Sequence, residues 1–224
     1  MRKRFIGFAV AAGLAASMFT GTAAQAAGKA TINVVHGIPG VNVAICVDGA
    51  KAIPAFAPGD VATGVILPSG AHALKVVAQG QACDAAAILS ADVTLANGGN
   101  YTVVANLDAD GAPNLKVFSN AVGKTNAGKA RLTVRHTAQA PAVNVWANGV
   151  PLITGSSFTW GDSATLQVPK GIYAAWVSLP GDFEPVIGPA VLRLKAGFAY
   201  QVYAWGSGAA GYHLSVVAVQ VGTK

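Results

Sequence analysis

The residues of this 224-residue chain that could do chemistry are few. Charged side chains make up 11% of it, so each candidate can be weighed singly. His36 and His136 stand one hundred positions apart at the same place in two similar stretches, "INVVHGIPGVNVAICVDG" (32–49) and "LTVRHTAQAPAVNVWANG" (132–149). An imidazole becomes a general base or a metal ligand when a carboxylate or a second imidazole lies at workable spacing. Neither histidine has a His-x-His, His-Glu-x-x-His or acidic cluster beside it, so each is expected to hydrogen-bond the turn that follows its strand. His72 and His213 read as ordinary strand residues. Asp60 and Asp162 recur in "GDVAT" and "GDSAT". Paired catalytic carboxylates must approach within about 5–10 Å. These two fall in different repeats, where each suits a turn aspartate accepting backbone N–H groups. Glu184 is the single glutamate, and no serine stands in a G-x-S-x-G setting. No catalytic residue, metal ligand or cofactor site is assigned. A hydrolase built on His136 with Asp162 is kept as an alternative.

Cys46 and Cys83 are the only cysteines, and two thiolates alone fall short of a four-ligand zinc site. Each has one possible partner, which points to a disulfide and an oxidising compartment. Closing that 37-residue interval would stabilise the fold by roughly 3–4 kcal/mol in the chain-entropy picture.

The elements that must position these residues are strands. Short runs rich in Val, Ile, Thr and aromatics alternate in polarity, and Gly, Pro, Asn and Asp punctuate them every eight to twelve residues ("VDGA", "PSGAH", "NGGN", "ANGVP", "PKGIY"). No helical period is sustained. This spacing predicts an all-β sandwich. The whole pattern occurs twice: "FAPGDVAT" echoes in "FTWGDSAT", "LPSG" in "VPKG", and "LANGGNYTVVA" in "LKAGFAYQVYA", which sets Tyr101 opposite Tyr200. The reading is two tandem antiparallel sandwiches of seven to eight strands each, over 27–120 and 130–224, joined by a polar linker at 121–129.

Residues 1–26 have the layout of a secretory signal peptide: a basic start at Arg2, Lys3 and Arg4, an apolar stretch, and a small-residue exit at Ala24-Gln25-Ala26. The stretch is too short and too broken for a membrane span, so the expected product is exported and free of membrane spans. The formal charge of +6 overstates the basicity of that product, because three cations leave with the signal. No basic stripe with stacking aromatics remains, which argues against nucleic-acid binding.

The frame "VVH…VNVAICVDG…FAPGDVAT…LPSGAH…NGGNYTVVA" and its second copy resemble the DUF4397 family. "GIPG" and "TAQA" stand where that family's Ser-Pro-Asp turn is usual. The resemblance implies a β-sandwich, Ig-like or transthyretin-like, in an exported bacterial protein, and it implies no activity.

Aromatic residues are unevenly shared: three in the first repeat and eleven, with all four tryptophans, in the second. Strand parity puts Val143 and Val145 on a core face and Trp146 on the other. It separates Tyr200 from Tyr203 and Trp205 in the same way. Tyr101 and Tyr200 are then core-facing phenols that need a hydrogen-bond partner. Trp146, Tyr203 and Trp205, with Trp160 in a loop, form a candidate face for a cell-wall glycan or an extracellular protein. Its first-repeat counterparts are Cys46, Val104 and Asn106. Two other fates are open to the face: packing against the first repeat, or cover by the loop "LPGDFEPVIGP". The functional expectation is a secreted, non-enzymatic binding protein without cofactor. A structural spacer of the cell envelope is the second reading.

Overall fold

A computed structural model describes residues 28–155 and 157–224; the signal peptide expected over 1–26 lies outside them. Among the described residues sixteen strands form two units of eight. The first contains β1 (Lys29–His36), β2 (Val43–Val47), β3 (Ala50–Phe56), β4 (Val61–Pro68), β5 (Gly70–Ala78), β6 (Leu89–Leu95), β7 (Asn100–Leu107) and β8 (Pro113–Ser119). The second contains β9 (Lys129–His136), β10 (Asn144–Ala147), β11 (Val150–Ile153), β12 (Ser163–Pro169), β13 (Gly171–Ser178), β14 (Pro185–Leu194), β15 (Phe198–Ser207) and β16 (Gly211–Gln220).

Each unit is a pair of four-stranded sheets. An inner sheet is ordered β4-β1-β7-β8 or β12-β9-β15-β16, and an outer sheet β3-β2-β5-β6 or β11-β10-β13-β14. The sandwiches are not wholly antiparallel as expected. β1 runs parallel to β7 and β9 parallel to β15: the chain returns beside its first strand as antiparallel β4 or β12 after two outer strands, completes the outer sheet, and then comes back on the other flank in the parallel sense. Alternation supplies the cores. Ala30, Ile32 and Val34 of β1 pack with Val43 and Ile45 of β2 in the first unit, and Leu132 and Val134 pack with Val143 and Val145 in the second. The β2–β3 and β10–β11 hairpins turn on Asp48-Gly49 and Asn148-Gly149, with φ of 51° and 78°, and 50° and 80°. Positive φ at both central positions matches the twist of paired strands, and Asx-Gly accepts it at low cost.

The core tyrosines end in backbone bonds. Tyr101 Oη accepts from the Ala96 N–H at 3.1 Å, and Tyr200 Oη from the Lys195 N–H at 3.0 Å. His72 and Tyr173 are also counterparts. His72 Nε2 bonds the Pro68 carbonyl at 2.8 Å, and Tyr173 Oη donates to that of Pro169 at 2.7 Å. The other His72 nitrogen, Nδ1, lies 2.6 Å from the Asp48 carboxylate, where the second unit has neutral Asn148.

The inner sheets pack face to face. Val35, Val104 and Phe118 of the first unit close on Tyr203 and Val217 of the second. The contact is reciprocal between equivalent positions, as in a two-fold dimer. Asn106 Nδ2 donates to the Thr137 carbonyl at 3.1 Å, while Trp205, the counterpart of Asn106, lies over Gly37, the counterpart of Thr137. A Cβ on Gly37 would come 2.8 Å from that of Trp205, so glycine admits the indole. Ser215 Oγ donates to the Gly59 carbonyl at 3.2 Å, and Trp160 Nε1 to that of Leu107 at 2.8 Å. Arg135 is buried at the centre. Its guanidinium donates to Asn120 Oδ1 (2.8 Å), the Ser119 carbonyl (3.1 Å) and Tyr203 Oη, and lies 4.4 Å from the Phe118 ring centroid.

Tyr203 and Trp205, expected on an open face, are therefore closed between the units, with 0% and 6% of their surface exposed. They do lie opposite Tyr200, as parity requires, but the first unit covers that side. The 121–129 segment is tied down at several points. Thr125 is buried, its carbonyl accepts from the Lys224 N–H, its N–H donates to the Gly222 carbonyl, and Arg131 holds the carbonyls of Ala121 and Gly123.

Three outcomes follow from this packing. Arg135→Ala strips the interface of its central donor and leaves buried acceptors unmet. We expect a loss of about 3 kcal/mol and a single calorimetric transition that broadens or splits. Cys46→Ser/Cys83→Ser should cost about 3–4 kcal/mol and open the 79–88 connection to limited proteolysis, leaving the second unit intact. The third concerns pH. The hydrogen bond to Asp48 raises the His72 pKa, and the bond to His72 lowers that of Asp48. The histidine contribution is complete below the ordinary imidazole pKa and is lost as pH rises through its raised value. The aspartate contribution is complete above the ordinary carboxylate pKa and is lost as pH falls through its lowered value. The pair therefore supports the first unit most between about pH 4 and 6.5. In urea titrations, Asp48→Asn, which imitates the second unit, should differ most from the parent within that window and least above it.

Candidate functional site

The histidines end the first strand of each unit and face inward. His36 Nε2 lies 2.7 Å from the Val41 carbonyl, and His136 Nε2 2.9 Å from that of Pro141, so each ring donates five residues ahead into its loop. Both are buried, with Phe56 and Phe158 alongside. Burial outweighs these bonds and lowers both imidazole pKa values, which keeps the rings neutral near pH 7. Asp60 Oδ2 accepts from the Ala57 N–H at 2.8 Å and Asp162 Oδ2 from the Thr159 N–H at 2.7 Å. His136 meets Asp162 only through the backbone, N–H to carbonyl at 3.0 Å. The two side chains do not make the contact that a histidine–carboxylate pair uses. Among the described residues no three His, Cys, Asp or Glu side chains are grouped to hold a metal ion, and no helix is long and apolar enough to cross a membrane.

Each unit turns the far side of its outer sheet toward solvent. In the first unit this side carries Ala44 and Cys46 of β2 and Val77 of β5. All three are fully buried, because the Cys46–Cys83 disulfide draws the 79–88 connection over them. Lys51 and Lys75 register with Cys46 on this same side, and Asp92 registers with outward Ala73.

The same side of the second unit is largely apolar, with Arg193 registering with Ile172 at one end. Trp146 takes the place of Cys46, and Trp176, directly across from it, takes that of Lys75. The indoles stack with centroids 6.0 Å apart and planes 9° from parallel. Phe183, from the connection that corresponds to the one bearing Cys83, meets both rings edge-on at 4.9 and 5.2 Å. An aromatic clasp thus stands where the first unit has its disulfide. Ile172 and Val191 continue this side along β13 and β14 and are 60% and 64% exposed; Phe183 is 57% exposed. Trp176 Nε1 is buried without a partner among the described residues, and the other polar groups nearby are already used. Trp146 Nε1 donates to Ser178 Oγ (2.9 Å), Asn144 Oδ1 accepts from the Gly155 N–H (3.0 Å), and Asn148 Oδ1 accepts from the Ala174 N–H (2.8 Å).

Of the four aromatics expected to share a face, only Trp146 lies here, half-buried under Phe183. Trp160 lies at the junction of the units, with Lys116 Nζ 4.5 Å from its ring centroid. Trp176, Phe183, Ile172 and Val191 were missed. Parity within "GIYAAWVS" does set Ile172 and Trp176 on one side, but only the β10–β13 pairing brings that side against Trp146.

No curated protein matches the chain. A family model, described as a domain of unknown function, matches residues 30–146, from β1 through most of β10. Covering just over half the sequence, that match places the chain in the DUF4397 family.

Proposed function

We propose that this protein is an exported, non-enzymatic docking protein whose binding surface is the solvent side of the second unit's outer sheet. One observation carries the reading. Two equivalent faces of one chain have opposite character: the first is sealed by a disulfide and dotted with charge, while the second presents Ile172, Val191 and Phe183 to solvent. Contiguous apolar surface on an otherwise solvated β-sheet is the mark of a contact site. The engaged amides and Trp146 indole, with Trp176 Nε1 shut away from solvent, leave little to satisfy sugar hydroxyls, which favours a protein surface over a glycan as partner. In this reading the two units are tandem DUF4397 sandwiches of Ig-like or transthyretin-like form, export follows the Sec-type signal ending at Ala26, and the partner is met outside the cell. A spacer role is the second reading, favoured by the interface that holds the two units as one block.

Co-sedimentation tests it, with the exported chain mixed with the producer's insoluble cell-wall fraction at low and high salt. Salt-resistant pelleting that falls at least about tenfold in Ile172→Lys/Val191→Lys, and persists in Asp92→Lys of the first unit, is the expected result. Pelleting that is equal in all three proteins, or absent from a chain that is monomeric under the same conditions, would leave the spacer reading.

A further inference from the structure

We propose that the docking face takes a second molecule of this chain, outer sheet against outer sheet, about a two-fold axis lying between the sheets and perpendicular to their strands. The inference rests on the docking reading above and names its partner.

The charges on that side of the molecule are segregated along the strands. Lys170, Arg193 and Lys195 gather where Gly171 of β13 pairs with Leu194 of β14. Asp182 and Glu184 lie in the connection at the opposite end, where Ser178 pairs with Pro185. Between them run Ile172, Trp176, Val191 and Phe183. A two-fold axis perpendicular to the strands reverses one sheet over the other. It sets the basic end of each molecule on the acidic end of its partner, twice, with the apolar strip closed between. An axis along the strands would set like charges together, so the charge pattern selects one of the two face-to-face arrangements.

The chain already uses this mode of association internally. Its inner sheets meet face to face through equivalent strands and reciprocal contacts, Asn106 with Thr137 and Trp205 with Gly37. The opposite end of the molecule does not repeat the apolar face, because the first unit carries Lys51, Lys75 and Asp92 there around its disulfide-held connection. Association therefore stops at a closed dimer rather than continuing as a filament.

Sedimentation velocity of the exported chain over a hundredfold concentration range reads this directly. The parent should pass from monomer to dimer. Arg193→Glu and the double variant Asp182→Lys/Glu184→Lys should each lose dimer at least about tenfold. Mixed in equal amounts they should recover it, since each then offers the charge the other lacks. All three substituted positions are exposed, and unchanged melting curves show that the fold is kept. A parent that stays monomeric throughout, assembles beyond a dimer, or yields variants that fail to recover on mixing overturns the proposal. A monomer that still pellets through Ile172 and Val191 overturns the self-association alone and leaves the docking face standing. A monomer that does not pellet removes both.

Discussion

A guanidinium with no carboxylate beside it sits at the centre of the molecule. Burial lowers the Arg135 pKa, yet arginine keeps its charge in proteins, so the cation must be met by neutral groups. Asn120, the Ser119 carbonyl, the Tyr203 phenol and the Phe118 ring meet it. These partners come from both units and are in place only when the inner sheets are in contact. Asn120 is held in turn by Asn100 and Thr102, at 2.7 and 3.0 Å. The cation thereby fixes how the inner sheets meet, and it buries both faces of each of them. Only the outer sheets remain to face solvent, one at each end of a four-layer stack.

The two units keep what the fold needs and differ where they look outward. The turn-bonding histidine, the turn aspartate, the tyrosine bonded five residues back and the Asx-Gly hairpin occur in both, because each satisfies buried or strained backbone that every copy of the fold contains. The closure over the outer sheet is free to vary in chemistry. A disulfide gives the first unit a sealed end, and a tryptophan pair under a phenylalanine gives the second a half-open one. His72 and Asp48 against Tyr173 and Asn148 is the same substitution of means on a smaller scale: Asp48 and Asn148 each accept from the neighbouring strand's backbone, at Ala73 and Ala174, and only the first is also joined to a side chain, His72.

This division of labour accounts for the scarcity of chemistry in the chain. Its polar side chains are largely spent on the backbone and on the junction between units. What is left over is a surface, apolar along its middle and opposite in charge at its ends, which suits recognition by shape and charge.

The sequence by itself determined the strands, the repeat, the disulfide pairing by elimination, and the side of each strand on which an aromatic falls. Turn residues and period-two alternation are local properties, and a repeat can be read without knowing how its copies meet. Parity correctly set Tyr203 and Trp205 opposite Tyr200, and Trp146 opposite Val145. It could not say what covers the opposite side, because that depends on residues distant in the chain. Tertiary structure decided that the first unit lies over Tyr203 and Trp205, that Trp176 stands across from Trp146, and that Phe183 closes on both. It also left Ile172 and Val191 in solvent, since the contact area of a second sheet exists only once two sheets have been brought face to face.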